Sequence, residues 1–342
     1  MTDGWRILIT GIGGVLAAEL ARRLSTVDGV DLVVGVDTRL PTHDLHRTRV
    51  VRAELSSPVV GELFERERID TLVHLAMSAN PGPARSRKEH NVIDTMQVLA
   101  AAQRARHLRT VILKSTTAVY GSDAANRSMF AEDVTAHADH GYAKDVVEVE
   151  GYARTLARRR EDVVLTVLRF ANLLGDGIDT PFGRYLAMPV IPTVLGYDPR
   201  LQLCHTSDAV EVLLRSCLDT RPGIFNVAGP GVLYLSQAAR IAGRPTVPVP
   251  LPLVDALAGV VRRAAIIDVP TDQLRYLSYG RVADIDRLRE RFGYEPRYST
   301  RATLEAHLAE QGVTRVIDDL GLRWLEHRAV GLVRGLSGSR SA

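Results

Sequence analysis

Lysine is nearly absent from this 342-residue chain: it stands only at positions 88, 114 and 144, and the other 40 of the 43 basic residues are arginine. Cysteine occurs twice, which excludes a disulfide framework, and the spacing gives no zinc motif, so we expect no metal site. No apolar run approaches the roughly 20 residues of a membrane-spanning helix, and the N-terminus shows no secretion signal. These absences predict a cytoplasmic protein with no membrane partner.

The chain also lacks an excess of charge of one sign. The net charge is +3, and acidic residues directly follow the basic clusters. Nucleic-acid binding requires a surface of one sign, so we expect no nucleic-acid partner. A content of 46% hydrophobic and 24% charged residues is typical of a globular protein, and the length favours about two domains.

Short aliphatic runs alternate with helical patterns over the first half of the chain. This alternation predicts an α/β fold: a Rossmann-type doubly wound parallel sheet with helices on both faces, plus a smaller C-terminal substrate-binding region. We divide the chain into a dinucleotide-binding domain over 1–170, to which 205–230 returns, a substrate-binding region over 171–204 and 231–310, and a C-terminal helix and tail over 311–342. The predicted strands are Arg6–Thr10, Leu32–Val36, Thr71–Leu75, Thr110–Leu113, Val163–Leu168 and Gly223–Ala228, and the predicted helices are Val15–Leu24, Pro58–Arg66, Lys88–Ala105, Lys144–Arg159 and Asp208–Leu218.

The first predicted strand ends in the glycine-rich turn Thr10-Gly11-Ile12-Gly13-Gly14-Val15. Glycines let a pyrophosphate approach the free N–H groups at the start of the following helix, so Gly11, Gly13, Gly14 and Val15 are predicted to bind a dinucleotide. Asp37, at the end of the second predicted strand, is placed to bind the adenosine ribose. Arg39 could instead pair with a 2′-phosphate, which leaves the choice between NADH and NADPH open.

Further motifs follow in the order found in one enzyme family. They include Glu54-Leu55, His74-Leu75-Ala76, Asn91-Val92-Ile93-Asp94-Thr95, Ser115-Thr116-Thr117-Ala118-Val119-Tyr120-Gly121 and Leu168-Arg169-Phe170-Ala171-Asn172. Together with the glycine-rich turn, this series resembles the extended short-chain dehydrogenases/reductases, the NAD-dependent epimerase/dehydratase family. The resemblance implies cofactor contacts at Glu54, Leu55, Leu75, Ala76, Asn91 and Ala171, and substrate contacts at Thr116, Tyr120 and Asn172.

The resemblance also implies a catalytic Ser/Thr, here Thr116, and a Tyr-x-x-x-Lys pair on one helix. If Lys144 is the family's lysine, at the nicotinamide ribose, then His140 stands in the place of the tyrosine. Tyr142 as the acid would require a lysine at 146, which is valine. Because lysine is so scarce, and an ammonium is chemically distinct from a guanidinium, we adopt the Lys144 register. It predicts that the tyrosine is missing and makes His140 a candidate proton donor.

A missing tyrosine argues against proton abstraction from an ordinary alcohol and favours reduction of an activated ketone. The whole chain is also similar to the atypical extended reductases of aromatic polyketide pathways. We therefore expect an NAD(P)H-dependent ketoreductase acting on an aromatic, angucyclinone-type polyketide ketone in antibiotic biosynthesis. Two alternatives stay open: a nucleotide-sugar (UDP- or dTDP-sugar) epimerase or dehydratase, and a non-catalytic dinucleotide-binding protein. The resemblance also implies a possible homodimer through the helices at 88–105 and 144–159.

Overall fold

The computed structural model describes residues 4–42, 44–78, 88–250 and 271–312. Its centre is a seven-stranded sheet in which every neighbouring pair is parallel, in the order β11-β6-β5-β4-β1-β2-β3. The strands of this sheet are β1 (Trp5–Thr10), β2 (Val30–Asp37), β3 (Arg49–Arg52), β4 (Thr71–His74), β5 (Thr110–Thr116), β6 (Val164–Phe170) and β11 (Gly223–Val227).

Six further strands of the described residues pair outside this sheet. They form three two-stranded sheets: β7 (Asn172–Leu174) with β10 (Leu203–His205), β9 (Arg200–Leu201) with β12 (Leu233–Tyr234), and β8 (Ile191–Val194) with β13 (Thr246–Val249).

The helices join the strands as crossovers and extend into the C-terminal part. They are α1 (Val15–Leu24), α2 (Pro58–Arg66), α3 (Asp94–Arg104), α4 (Gly141–Arg159), α5 (Pro181–Leu186), α6 (Thr206–Leu218), α7 (Leu235–Ile241), α8 (Thr271–Tyr279) and α9 (Thr300–Glu310). Among the described residues, no helix combines the length and apolar content needed to cross a membrane.

The core lies on both faces of the central sheet. In β1, Ile7 and Ile9 belong to one apolar cluster, whereas Leu8 between them belongs to the cluster on the opposite face, and all three are 0% exposed. A parallel strand covered by helices on both faces reads as a continuous apolar run because each face buries alternate residues, at about 1.5–3 kcal/mol for each large side chain. A third cluster holds the C-terminal part together through Phe182 and Tyr185 of α5.

The predicted fold class is confirmed, and helices α1 and α2 have the predicted bounds. The sequence analysis missed β3, because a four-residue edge strand with an arginine at each end carries almost no apolar pattern. It also began α4 three residues late, at Lys144 rather than Gly141. The predicted C-terminal helix and tail lie, from residue 313 onward, outside the described residues.

The strand order fixes where a ligand binds. From β1 the chain moves outward through β2 and β3 on one side, and then through β4, β5 and β6 on the other. The order therefore reverses between β1 and β4. In open α/β sheets, ligands bind in the crevice at the carboxyl ends of the strands at such a reversal.

Candidate functional site

A cavity of about 1040 Å³ lies at the carboxyl ends of these strands. The glycine-rich turn, the loops after β4 and β5, and the start of α4 form its walls, and residues of α5 and α8 reach its far side. The predicted site residues that line it are Gly11, Gly13, Gly14, Val15, Asp37, Arg39, Leu55, Leu75, Ala76, Thr116, His140, Ala171 and Asn172.

The glycine-rich turn leaves donors free at the start of α1. Gly14 is the N-cap residue, no side chain caps the helix, and its first turn holds no acidic residue. Gly11 has a φ of +80°, and a Cβ there would lie 2.8 Å from the Cα of Ala76. Only glycine fits so close to the neighbouring loop. The first N–H groups of α1, from Val15 onward, have no side-chain cap and no acidic neighbour, so this helix start would hold the pyrophosphate of a dinucleotide.

Asp37 organises the adenosine side of the turn. Its carboxylate accepts hydrogen bonds from the N–H of Gly13 at 3.1 Å and from the N–H of Arg39 at 3.0 Å. The carboxylate is thereby held next to the turn, where it can accept further hydrogen bonds from ribose hydroxyls. A 2′-phosphate at this place would meet a fixed negative charge.

This arrangement predicts a preference for NAD⁺ over NADP⁺ of about tenfold or more, equivalent to ~1.4 kcal/mol. Asp37→Asn should narrow the preference, because it removes the negative charge while keeping an oxygen that can accept the Gly13 hydrogen bond. Isothermal titration calorimetry with NAD⁺ and with NADP⁺ measures the two affinities of each variant. The matched control is Asp31→Asn, an exposed residue earlier in β2. Equal affinities of the unmodified protein for the two cofactors would contradict the prediction.

The predicted cofactor residues Asn91 and Glu54 do not line the cavity. Asn91 is 0% exposed, and its side-chain amide exchanges two 3.0 Å hydrogen bonds with the backbone of Ser78. It therefore positions the loop after β4, which does line the cavity. Glu54 is exposed, one residue before the lining residue Leu55.

A buried histidine supports the same loop. The ring of His74 joins Thr10 and Thr95, with 2.8 Å between nitrogen and hydroxyl oxygen on each side. Burial, and then the positive charge of Lys114, lower the pKa of His74 to about 4. The imidazole is therefore neutral near pH 7 and acts as a structural bridge between β1, β4 and α3.

Helix α4 presents Tyr142 to the cavity, not Lys144. Tyr142, Val146, Val149 and Ala153 follow one another at steps of four, three and four residues, so they share one helix face. Tyr142 lines the cavity, and the other three are 0% exposed. Lys144 is exposed and does not line the cavity, because two residues along a helix turn the side chain by about 200°. Its predicted contact with the cofactor ribose therefore has no counterpart in the cavity wall.

Two acidic residues of α4 show that the helix turns the face with Tyr142 inward and the face with Lys144 outward. Glu148, four residues after Lys144, lies near the surface, 3.5 Å from the ammonium of Lys88. Glu150, eight residues after Tyr142, is 0% exposed and accepts hydrogen bonds from Arg169 of β6 at 2.9 and 2.7 Å. The helix is thus anchored to the sheet through the face that carries Tyr142.

Two neighbouring side chains of β5 share the cavity with Tyr142. Residues 114 and 116 lie on the same face of the strand, and both Lys114 and Thr116 line the cavity. Ser115 points to the opposite face, where its hydroxyl donates a 2.5 Å hydrogen bond to Glu150. Burial, and then the negative charge of Asp145, raise the pKa of Tyr142 well above its ordinary value.

Tyr120 and His140 complete the predicted set. Tyr120 is 0% exposed and stacks on Phe130; its hydroxyl donates to Asn226 at 2.8 Å and accepts from Arg169 at 2.9 Å. The structure thus places it in the core, because its polar end finds partners there, and not in the cavity wall. His140 is exposed at the start of α4 and pairs with Asp139.

The sequence analysis also missed lining residues beyond Tyr142 and Lys114. Arg275 of α8 pairs with Asp123 at 3.1 Å, and Arg281 donates to the hydroxyl of Ser122 at 3.0 Å, so two guanidinium groups stand on the far side of the cavity. They come from a part of the chain with no local motif. The contact that fixes the register of α4, between Glu150 and Arg169, joins residues 19 positions apart, so Tyr142 had no local sequence signal either.

The chain is similar to a known protein family, to known proteins and to solved structures. A model of the NAD dependent epimerase/dehydratase family matches residues 7–228. An uncharacterized protein of Mycobacterium tuberculosis (strain H37Rv) is 39% identical over 337 residues, covering 96% of this chain and 90% of the relative. UDP-glucuronic acid decarboxylase 6 of Arabidopsis thaliana is 23% identical over 326 residues, covering 87% and 86%. A solved structure of UDP-glucose 4-epimerase with UDP-glucose, from Thermotoga maritima, shares the fold with a TM-score of 0.70 at 18% identity, covering 90% of this chain and 98% of that one.

Proposed function

Because this chain belongs to the NAD-dependent epimerase/dehydratase family and so uses NAD(H), we propose that it is an enzyme that transforms a nucleotide sugar by transient oxidation of a sugar carbon. The names of two similar proteins, a UDP-glucuronic acid decarboxylase and a UDP-glucose 4-epimerase, support a UDP-sugar as substrate. The proposal favours the nucleotide-sugar alternative over reduction of an aromatic polyketide ketone.

The observation that carries the proposal is the presence of Tyr142 and Thr116 in the cavity that begins at the glycine-rich turn. Expectation of a ketoreductase depended on a missing tyrosine. With a phenol in the cavity wall, that reason is gone, and a base able to take a proton from a sugar hydroxyl is available. The names of the similar proteins give no support for a polycyclic aromatic ketone.

Residues of the cavity wall have separate roles in the proposed reaction. Bound NAD⁺ supplies the acceptor for a hydride from the sugar carbon and, once reduced, the donor that can return it. The Tyr142 phenolate takes the proton of the hydroxyl on that carbon, so that the O–H and C–H bonds break as the C=O bond forms, and the phenol gives the proton back in the reverse step. Thr116 holds the same oxygen by a hydrogen bond. The loop after β4 and the turn at Gly11 orient the cofactor.

The far side of the cavity supports a phosphorylated substrate. Arg275 and Arg281 bring guanidinium groups to the wall opposite the glycine-rich turn. Planar guanidinium forks suit the paired oxygens of phosphate groups. A nucleotide sugar would place its sugar at Tyr142 and its diphosphate toward these arginines.

The test is incubation with catalytic NAD⁺ and a panel of UDP- and dTDP-hexoses and hexuronic acids. Products are followed by proton NMR of the anomeric region, and cofactor reduction by absorbance at 340 nm. We expect a new nucleotide sugar without net NADH. Consumption of NADPH with an aromatic ketone would overturn the proposal in favour of a ketoreductase, and cofactor binding without either reaction would favour a non-catalytic protein.

A further inference from the structure

Lys114 is a cation inside the cavity that the proposed mechanism leaves without a role. It lies on β5, two residues before Thr116 and on the same strand face. Its ammonium donates a hydrogen bond to the carbonyl oxygen of Met77 at 3.3 Å. An ammonium carries three donors, so further donors are available to a ligand in the cavity.

The charge of Lys114 has no acidic partner in the described part of the chain. None of the salt bridges formed there involves it, whereas His140 and Arg275, which also line the cavity, each pair with an acidic residue. Burial lowers the pKa of Lys114 to about 8. Keeping an ammonium at a buried position without an acidic partner costs free energy. A leucine or methionine would fill the same space without that cost. The position therefore indicates a ligand rather than packing.

Helix α4 supplies the phenol but no cation on the same face. Val146 stands one turn after Tyr142 and is buried in the core, and Lys144 lies on the exposed face. The phenolate form of Tyr142 needs a nearby positive charge, because burial raises its pKa. Across the cavity, β5 carries the lysine that this face of α4 lacks.

The sheet order assigns Lys114 to one half of the cofactor. With the pyrophosphate at the start of α1, Asp37 on β2 marks the adenosine side. β5 lies on the other side of β1, beyond β4. A dinucleotide that spans the reversal point therefore directs its nicotinamide half toward the wall that holds Lys114, Thr116 and Tyr142.

We propose that Lys114 of β5, in place of a lysine on α4, binds the ribose of the nicotinamide half of NAD(H) and provides the positive charge that favours the Tyr142 phenolate. The inference rests on the proposed function only for the role of Tyr142; the ribose contact needs no substrate. In this arrangement the positive charge comes from strand β5 and the phenol comes from helix α4.

Lysine scarcity makes the contact directly observable. Protein labelled with ¹³C at lysine Cε gives three side-chain signals, and the exposed-site variants Lys88→Arg and Lys144→Arg identify two of them, leaving Lys114 by elimination. We expect NAD⁺ to shift the Lys114 signal, and ADP, which lacks the nicotinamide half, to leave it within half of that shift. A shift of the Lys144 signal with an unmoved Lys114 signal would overturn the proposal. This measurement uses the unmodified cavity and so does not depend on whether a Lys114 variant folds.

Affinity gives a second, independent readout. Lys114→Met should weaken NAD⁺ binding by about 10- to 150-fold, the loss expected for a hydrogen bond from a charged donor, with ADP affinity unchanged. Lys114→Arg should recover part of the loss, and Lys88→Met serves as the surface control. NAD⁺ affinity within twofold of the unmodified protein in Lys114→Met would overturn the proposal. If no nucleotide sugar is converted while Lys114 still responds to NAD⁺, the proposed function fails and the ribose contact stands.

Discussion

Replacing Tyr142 with phenylalanine should lower nucleotide-sugar turnover by about 10²- to 10⁴-fold, the usual contribution of a positioned acid/base group. The phenyl ring keeps the packing of the cavity wall, so NAD⁺ affinity should change by less than about threefold. The reason is specific to the proton: without the hydroxyl, no group on this face of α4 can accept it. Steady-state conversion and isothermal titration of NAD⁺ measure the two quantities separately.

The matched control lies on the same helix. Tyr152 is 39% exposed and lies outside the cavity lining, so Tyr152→Phe should leave turnover within about twofold. Full turnover in Tyr142→Phe would show that Tyr142 does not transfer the proton. A rate that instead collapsed in His140→Phe would restore the histidine to the role of proton donor.

The largest effect on stability is expected at the buried pair of Arg169 and Glu150. Their side chains are 2% and 0% exposed, and the guanidinium donates two hydrogen bonds to the carboxylate. Arg169→Met leaves Glu150 without its main partner in the core, which should lower the free energy of unfolding by about 3–5 kcal/mol. Urea denaturation followed by circular dichroism measures the change.

Arg154→Met is the control for this prediction, because Arg154 bonds to the same carboxylate at 3.0 Å but is 40% exposed. It should cost about 1 kcal/mol or less. Equal losses in the two variants would mean that burial of the pair is not what matters. Burial raises the pKa of Glu150, but Arg169, Ser115 and Arg154 together outweigh it, so the pKa lies below its usual value. The pair therefore contributes fully above about pH 4.5, and its contribution is lost as the pH falls further.

The sequence was sufficient for the fold class, because the strands and helices of the central sheet follow local patterns. Short apolar runs define the strands and segments of period 3.6 define the helices, whereas the need for glycine at 11 and 13 comes from Ala76 and Arg39, which are distant in the chain. The division into domains and a possible homodimer stay predictions.

The orientation of α4 was not recovered from the sequence, and the reason is geometric. Registers based on Lys144 and on Tyr142 differ by two residues, which places them on nearly opposite faces of one helix. Rarity of lysine favoured the first register but applied equally to Lys114, which the structure places in the cavity. Burial of Glu150 against Arg169 favours the second, and that contact joins residues 19 positions apart. Tyr120 is the opposite case: its motif predicts a substrate contact, but its hydroxyl is hydrogen-bonded to Asn226 and Arg169 in the core.

The hydroxyl of Tyr120 also belongs to a seam between the sheet and the C-terminal region. Asn226 of β11 accepts its hydrogen bond and donates to the carbonyl oxygens of Phe130 and Asp284 at 3.1 and 3.0 Å. Opening this seam would break several buried hydrogen bonds at once, whereas Arg275 and Asp123 at the cavity rim are partly exposed and can separate at little cost. We therefore expect ligands to enter and leave the cavity past Arg275 and Asp123 while the hydrogen bonds of Tyr120 and Asn226 stay formed.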